Sequence, residues 1–345
     1  MTALKQDHIS GGDSDDISVA AAGMTRAEWL AALVQRRGSL AVLALVVVIA
    51  SISFGHFATI ANAQNIAMQS SFLAIVALGM TFVIISGGID LSVGSVYALG
   101  GVLAAYGMQE SSLLGLLLPL AVCGGIGLLN GVLVAYGRLA PFIVTLATLL
   151  GARGLLQAIT DEGNVTRLMP EGAFLTKLGQ GTFLGLGWPV WIAVVLFAIG
   201  VVLLQRTRFG HSTVAIGGSR EAATLMGLPV ARRTMLLYLG SGLTAGLAGT
   251  LAAAYSASGV TIVGVGLELD AIAAVVIGGT LLTGGAGTVG GTLAGVLLLK
   301  VIQNIINQIG TLSSHYQSVV SGAFLAIVVA VQAYLSRAYL RGRRR

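Results

Sequence analysis

The run Gly79–Ser95 is an apolar stretch interrupted in its middle by Gly87, Gly88, Asp90, Ser92 and Ser95. Hydrocarbon offers neither a broken backbone nor a carboxylate any water, so such a segment must line a cavity or be covered by protein. Composition makes the bilayer the relevant solvent: 56% of the chain is hydrophobic and 9% charged, whereas soluble domains carry about 25% charged residues. A weaker copy of the break recurs at Ile277-Gly278-Gly279-Thr280-Leu281-Leu282-Thr283-Gly284-Gly285. The chain therefore reads as two related halves.

A helix needs about 20 apolar residues to cross the hydrocarbon, and Gly, Pro and polar punctuation divides the sequence into about ten such stretches. They fall near 39–55, 65–86, 93–108, 112–134, 140–159, 188–205, 233–255, 269–284, 288–309 and 316–335. The expected fold is all-α and polytopic, with about ten transmembrane helices in two pseudo-symmetric halves. Arg36, Arg37, Arg138, Arg206, Arg208, Arg220, Arg232, Arg233 and the Arg-rich end at 337–345 fall on one side. The opposite loops at 56–64, 108–112, 256–268 and 310–315 hold no Lys or Arg. Only the loop at 160–187, with Arg167 and Lys177 beside Asp161, Glu162 and Glu171, breaks the pattern, and both termini are expected in the cytoplasm. Residues 1–38 read as a partly disordered cytoplasmic tail with a short surface helix at Thr25–Gln35, 39–336 as the membrane domain, and 337–345 as a basic tail. Of the connections, 160–187 is the long outer loop, with Trp188 and Trp191 as interfacial anchors at its exit, and 206–234 the long inner one.

The inner loop carries its own helix signal. Ser219 is an N-cap, Glu221 an acid in the first turn, and Gly227 with Pro229 a stop. Ala222 and Ala223 would let another surface dock closely, and Leu225 and Met226 offer it apolar contact. Asp90 admits two readings. It either caps the third span through the turn Leu91–Val93, or faces a polar path together with Ser92 and Ser95. Gln69, Ser70, Ser71, Gln303, Asn304, Asn307 and Gln308 are further polar groups in apolar runs, suited to interhelical hydrogen bonds or to a pore. Glu268 and Asp270 read as first-turn acids near the outer surface. Arg153, inside the fifth span, needs a partner or a route to the interface. Cys123 reads as a buried hydrophobe.

Several chemistries find no support. His8, His56, His211 and His315 are scattered without ligand spacing, so no metal site is expected. No nucleophile–base set marks a catalytic residue. There is no Gly-x-x-x-x-Gly-Lys-Ser/Thr loop for a nucleotide phosphate. The Gly-x-Gly-x-x-Gly match at Gly285–Gly290 lies between two apolar runs, outside any strand–helix context. Basic residues sit in loops without aromatic interleaving, which argues against nucleic acid.

Four stretches carry a family resemblance: Ile85–Ser95, Pro141–Leu146, Glu268–Thr280 and the Glu-Ala-Ala helix Ser219–Gly227. Together they resemble the permeases of bacterial ATP-binding-cassette (ABC) sugar importers of the ribose/xylose/galactose type. Gly310–Ser314 and the segment after Glu268 are most similar to galactofuranose permeases. The resemblance implies a transport subunit of the bacterial inner membrane that imports a pentose or hexose. Its implied partners are a cytoplasmic ABC ATPase that holds ATP and Mg, a periplasmic sugar-binding protein, a second permease and membrane lipids. It makes Ser219, Arg220, Glu221, Ala222, Ala223, Leu225, Met226 and Gly227 the coupling helix. The expected translocation path or gate comprises Gln69, Gly87, Gly88, Asp90, Ser92, Ser95, Gly278, Gly279, Gln303 and Asn307. An ion-coupled secondary transporter is the rival reading. It would explain the broken spans, but it predicts a coupled ion site and leaves the inner helix idle.

Overall fold

The computed structural model describes residues 26–309, with side chains from Ser39 onward, and four positions within 319–326, so residues 1–25, the rest of the span expected at 316–335 and the tail at 337–345 lie outside the described residues. Helix α1 is Arg26–Ser53. It is followed by α2 (Ile60–Ile85), α3 (Val93–Glu110), α4 (Ser112–Ala135) and α5 (Pro141–Ile159). Six helices are long and apolar enough to cross a membrane among the described residues: α2, α4, α5, α7 (Trp188–Arg206), α10 (Val230–Ser256) and α12 (Val289–Ile309).

The fold is mostly helical, with a small β component that an all-α expectation leaves out. In the 160–187 loop, β1 (Arg167–Leu168) pairs antiparallel with β4 (Ser258–Gly259). β2 (Thr182–Phe183) and β3 (Leu186–Gly187) form a hairpin. Between them α6 (Phe174–Gln180) buries Leu175 and Gly179, with Gly179 lying against Ala254 and Tyr255. The loop thus folds as a cap on the end of α10.

Helices α2 and α10 form the centre of the bundle. Every residue of α2 from Ser70 to Ile85 is buried. Glycines bring the backbones around α10 into contact: Gly242 meets Gly127 of α4, and Gly246 and Gly249 meet Gly100 and Gly101 of α3. With lipid on the outside, this close van der Waals packing is what holds helices together. Helices α4, α5 and α7 turn Leu117, Leu150, Val194, Val195 and Ile199 outward, as a lipid-facing shell does.

Two elements do not cross. The segment after β4 runs back into the bundle alongside α3: Gly259 lies against Val102 and Ala105, and Gly264 against Gly94. From there α11 (Leu267–Ile277), only 11 residues long, continues in the same direction. Gly278, at its end, packs on Gly291 at the start of α12. At that same end of the bundle, α8 (Arg208–Gly218) and α9 (Arg220–Leu225) form the turn that leads into α10.

Candidate functional site

The two sequence breaks are the same local structure. At the end of α2, the Gly87 N–H bonds the Ile84 carbonyl and the Gly88 N–H the Val83 carbonyl, with Gly87 at φ +82°. At the end of α11, the Gly279 N–H bonds Val276 and the Thr280 N–H bonds Val275, with Gly279 at φ +89°. Both are Schellman caps, in which a left-handed residue satisfies the last carbonyls of a helix, and glycine takes that conformation without steric cost. A third copy closes α9, where Gly227 at φ +77° bonds Thr224 and Leu228 bonds Ala223.

The breaks and the α8–α9 junction meet. The Gly285 N–H donates to the Ile85 carbonyl at 2.8 Å. Gly284 lies against Gly87 and Gly217, and Gly285 against Gly218. The Gly-x-Gly-x-x-Gly stretch is therefore a backbone packing site, as its context in the sequence indicated.

Beside this junction the first break carries a buried polar corner. Asp90, Ser92, Asn130 and Ser241 are each at most 2% exposed. Asp90 Oδ1 accepts from the Ser92 N–H at 3.0 Å and from the Ser92 hydroxyl at 2.6 Å. Asn130 Nδ2 of α4 donates to Ser92 Oγ at 3.0 Å. Ser241 of α10 faces the carboxylate without meeting hydrogen-bond geometry. The hydroxyls of Tyr238 and Thr145 both donate to the Ile89 carbonyl, at 3.3 and 3.4 Å. The capping reading of Asp90 holds only in part: its carboxylate closes an Asx turn through the Ser92 N–H, while the N-cap of α3 is Ser92 and no side chain caps the helix there. Asn130, Tyr238 and Ser241 are neighbours of this corner that no local pattern in the sequence singles out.

The other expected site residues distribute unevenly. Ser95 is buried on α3, whereas Gln69 is exposed on α2 and belongs to neither break. On α12, Gln303 Nε2 donates to Asp270 Oδ2 at 3.2 Å and Gln303 Oε1 accepts from Lys300 at 2.9 Å. Asn304 and Asn62 exchange reciprocal amide bonds at 2.8 and 3.2 Å. Asn307 is exposed on the same helix. Asp270 and Glu268 do not sit at the outer surface. The re-entrant segment carries them into the bundle, where Asp270 meets the middle of α12 and Glu268 lies against Gly94. Arg153 reaches the same segment, bonding the carbonyls of Thr261 at 2.9 Å and Val263 at 3.3 Å. Lys300, a lone cation in an apolar helix, is the one charged member that the sequence reading passed over.

The expected coupling turn is built as its residues predict, with one correction. Ser219 Oγ accepts from the Ala222 N–H at 3.2 Å. Leu225 and Met226 are 89% and 68% exposed, and Glu221 and Ala222 are exposed too. Ala223 is not available for docking: it is fully buried against Ile216, Leu228 and Val230, because the Schellman cap folds the chain back over it. Arg220 reaches back to Thr234 Oγ1 at 3.4 Å, which ties the turn to the start of α10. Cys123 is a free, buried thiol at the α4–α10 crossing.

A family model described as the permease component of a branched-chain amino acid transport system matches residues 62–329. The chain belongs to this permease family. The ribose import permease protein RbsC of Escherichia coli K12 is 40% identical over 302 residues, which cover 87% of this chain and 94% of the relative. The RbsC protein of Bacillus subtilis 168 is 41% identical over 300 residues, covering 86% and 92%. The L-arabinose transport system permease protein AraH of Escherichia coli K12 is 35% identical over 303 residues, covering 87% and 91%. No solved structure matches. The permease match agrees with the resemblance carried by Ile85–Ser95 and Glu268–Thr280, and these are the segments that form the two caps.

Proposed function

We propose that this permease is the membrane-spanning subunit of an ABC importer that moves a neutral monosaccharide across the bacterial inner membrane. Ribose and arabinose, the sugars its relatives are named for, head the substrate list, and galactofuranose stands as the finer candidate from the sequence. One observation carries the mechanism: the exposed turn Ser219–Gly227 is continuous with backbone that touches both helix breaks. A cytoplasmic ATPase, holding ATP and Mg, would seat Leu225, Met226 and Glu221. Its closure would displace α9, and the Gly217–Gly285–Ile85 contact would pass that displacement to the caps at Gly87 and Gly279. A Schellman cap is a good hinge, because its left-handed residue can change φ and ψ without unwinding the helix before it. A second permease, identical or homologous, would complete the pathway. A periplasmic sugar-binding protein would meet the loop side, where α6 and the β1–β4 pair form the cap.

The test is uptake into proteoliposomes that contain the permease, its ATPase and its binding protein. ATP-dependent accumulation of ribose, arabinose or galactofuranose supports the reading. Accumulation that persists without ATP and collapses with a proton or sodium gradient replaces it with the ion-coupled one. Within the same assay, Gly227→Val forces a branched side chain into φ +77°. It should cut uptake by roughly tenfold or more, equivalent to about 1.4 kcal/mol or more, while membrane yield stays unchanged.

A further inference from the structure

We propose that the corner formed by Asp90, Asn130 and Ser241 is a binding site for a small monovalent cation, with sodium its best-fitting occupant. Hydrogen-bond logic fixes the donors and acceptors. The Ser92 hydroxyl spends its one proton on Asp90 Oδ1, at 2.6 Å. Ser92 Oγ can therefore only accept from Asn130, so the Asn130 contact at 3.0 Å is made by the Nδ2 donor. This leaves Asn130 Oδ1 as a bare acceptor. Asp90 Oδ2, Asn130 Oδ1 and Ser241 Oγ are all buried without a hydrogen-bond partner. They come from three separate elements: the α2–α3 break, α4 and α10. Two of the three atoms have no proton to give, and the third has one at most. The Ser241 hydroxyl, which faces the carboxylate, can supply one proton, and the Asn130 oxygen still goes unmet.

Ionised, Asp90 would also be an uncompensated negative charge. Among the described residues no Lys or Arg pairs with Asp90. Arg220 is exposed and bonded to Thr234, two turns before Ser241 on α10. A carboxylate in this setting is costly unless a cation or proton joins it. A carboxylate oxygen, an amide oxygen and a hydroxyl form an all-oxygen set of the kind that hard cations take. A single negative charge matches a monovalent ion. The Ser92 hydrogen bonds hold Oδ1 and leave Oδ2 on the side that Ser241 faces, with the Asn130 amide reaching the same corner through Ser92 Oγ. An ion here would pin the α2–α3 break against α4 and α10, as a fixed part of the fold rather than a species that moves with sugar.

The proposal does not rest on the transport reading, and its test reads stability. The full-length permease, purified in nanodiscs, is unfolded thermally in sodium, potassium or N-methyl-D-glucamine chloride at one ionic strength and pH. In sodium the midpoint should rise saturably by about 2–4 °C over the organic cation, with a smaller rise in potassium. Asp90→Asn keeps an acceptor for the Ser92 N–H and removes the charge, so it should fold and lose the sodium shift. Ser241→Ala should move the half-saturating sodium concentration upward by about tenfold, and it carries the test alone if Asp90→Asn does not fold. Equal midpoints in all three salts would assign the corner to water or a proton and overturn the proposal. So would a sodium shift that survives undiminished in the variants, which would place the ion elsewhere.

Discussion

The Asp90 carboxylate satisfies two donors of one serine, and that arrangement decides which substitutions the break tolerates. Asparagine offers the same acceptor and caps about as well as aspartate. Leucine leaves the buried N–H and hydroxyl of Ser92 to find new partners, at about 1–3 kcal/mol for each group left unsatisfied. In sodium-free buffer Asp90→Asn should give near-wild-type yields of folded permease, and Asp90→Leu should give severalfold less, measured by size-exclusion chromatography of the solubilised protein. Equal recovery of both would remove the cap from the account of folding. That Asp90 serves the entry to α3 was legible in the sequence, because an Asx turn is a local pattern and Asp90 precedes Ser92 by two residues, though the helix itself is not capped by it. Its surroundings were not. Asn130 lies 38 residues from Ser92 and Tyr238 lies 149 residues from Ile89, and only the bundle brings them together. The fully buried Ala223 makes the same point at the turn: its neighbours Ile216 and Val230 follow from the fold-back at Gly227, which a helix pattern alone does not specify.

At the scale of elements, glycine and hydropathy located the breaks, and the structure shows why the two halves share them: each is the same hydrogen-bonded cap. Hydropathy could not tell a crossing helix from one that begins inside. The stretch at 269–284 has the composition of a span, yet α11 covers only Leu267–Ile277 and is fed by a segment that re-enters beside Gly94. Its first-turn acids therefore lie within the bundle, and the Lys300–Gln303–Asp270 chain is the compensation. Lys300→Met leaves the Asp270 charge without its cation, and Asp270→Asn does the converse. Each single change should destabilise by roughly 1–2 kcal/mol, because the two charges are joined through hydrogen bonds to Gln303 rather than in direct contact. The double variant should recover most of that loss, since two neutral side chains have no charge to bury. Thermal midpoints of the four proteins in a double-mutant cycle measure the coupling. Strict additivity would mean that α11 and α12 are not joined by charge.

For the whole molecule, the bundle sorts its contacts by end. One end gathers the α8–α9 turn, the two caps and exposed Arg206, Arg208, Arg220 and Arg232. The other gathers the α6 cap, the two β pairs and the Phe183, Trp188 and Trp191 cluster, in which Phe183 and Trp188 stack at 5.4 Å. Between them, β4 leads through the Arg153-held carbonyls into α11, and α11 ends at the Gly279 cap. A single stretch of chain thus runs from the loop cap to the contact with Gly217, and motion at either end has a covalent route to the other. The asymmetry of arginine supports the proposal that the turn end faces the cytoplasm, and the aromatic cluster is of the kind found at the outer interface. Labelling tests that assignment directly. In a Cys123→Ser background, Glu221→Cys and Lys177→Cys place single exposed thiols at opposite ends. A membrane-impermeant maleimide added to intact cells should modify the cysteine at 177 and reach the one at 221 only after the membrane is opened. The reverse pattern would invert the molecule and leave the Ser219–Gly227 turn facing away from any ATPase.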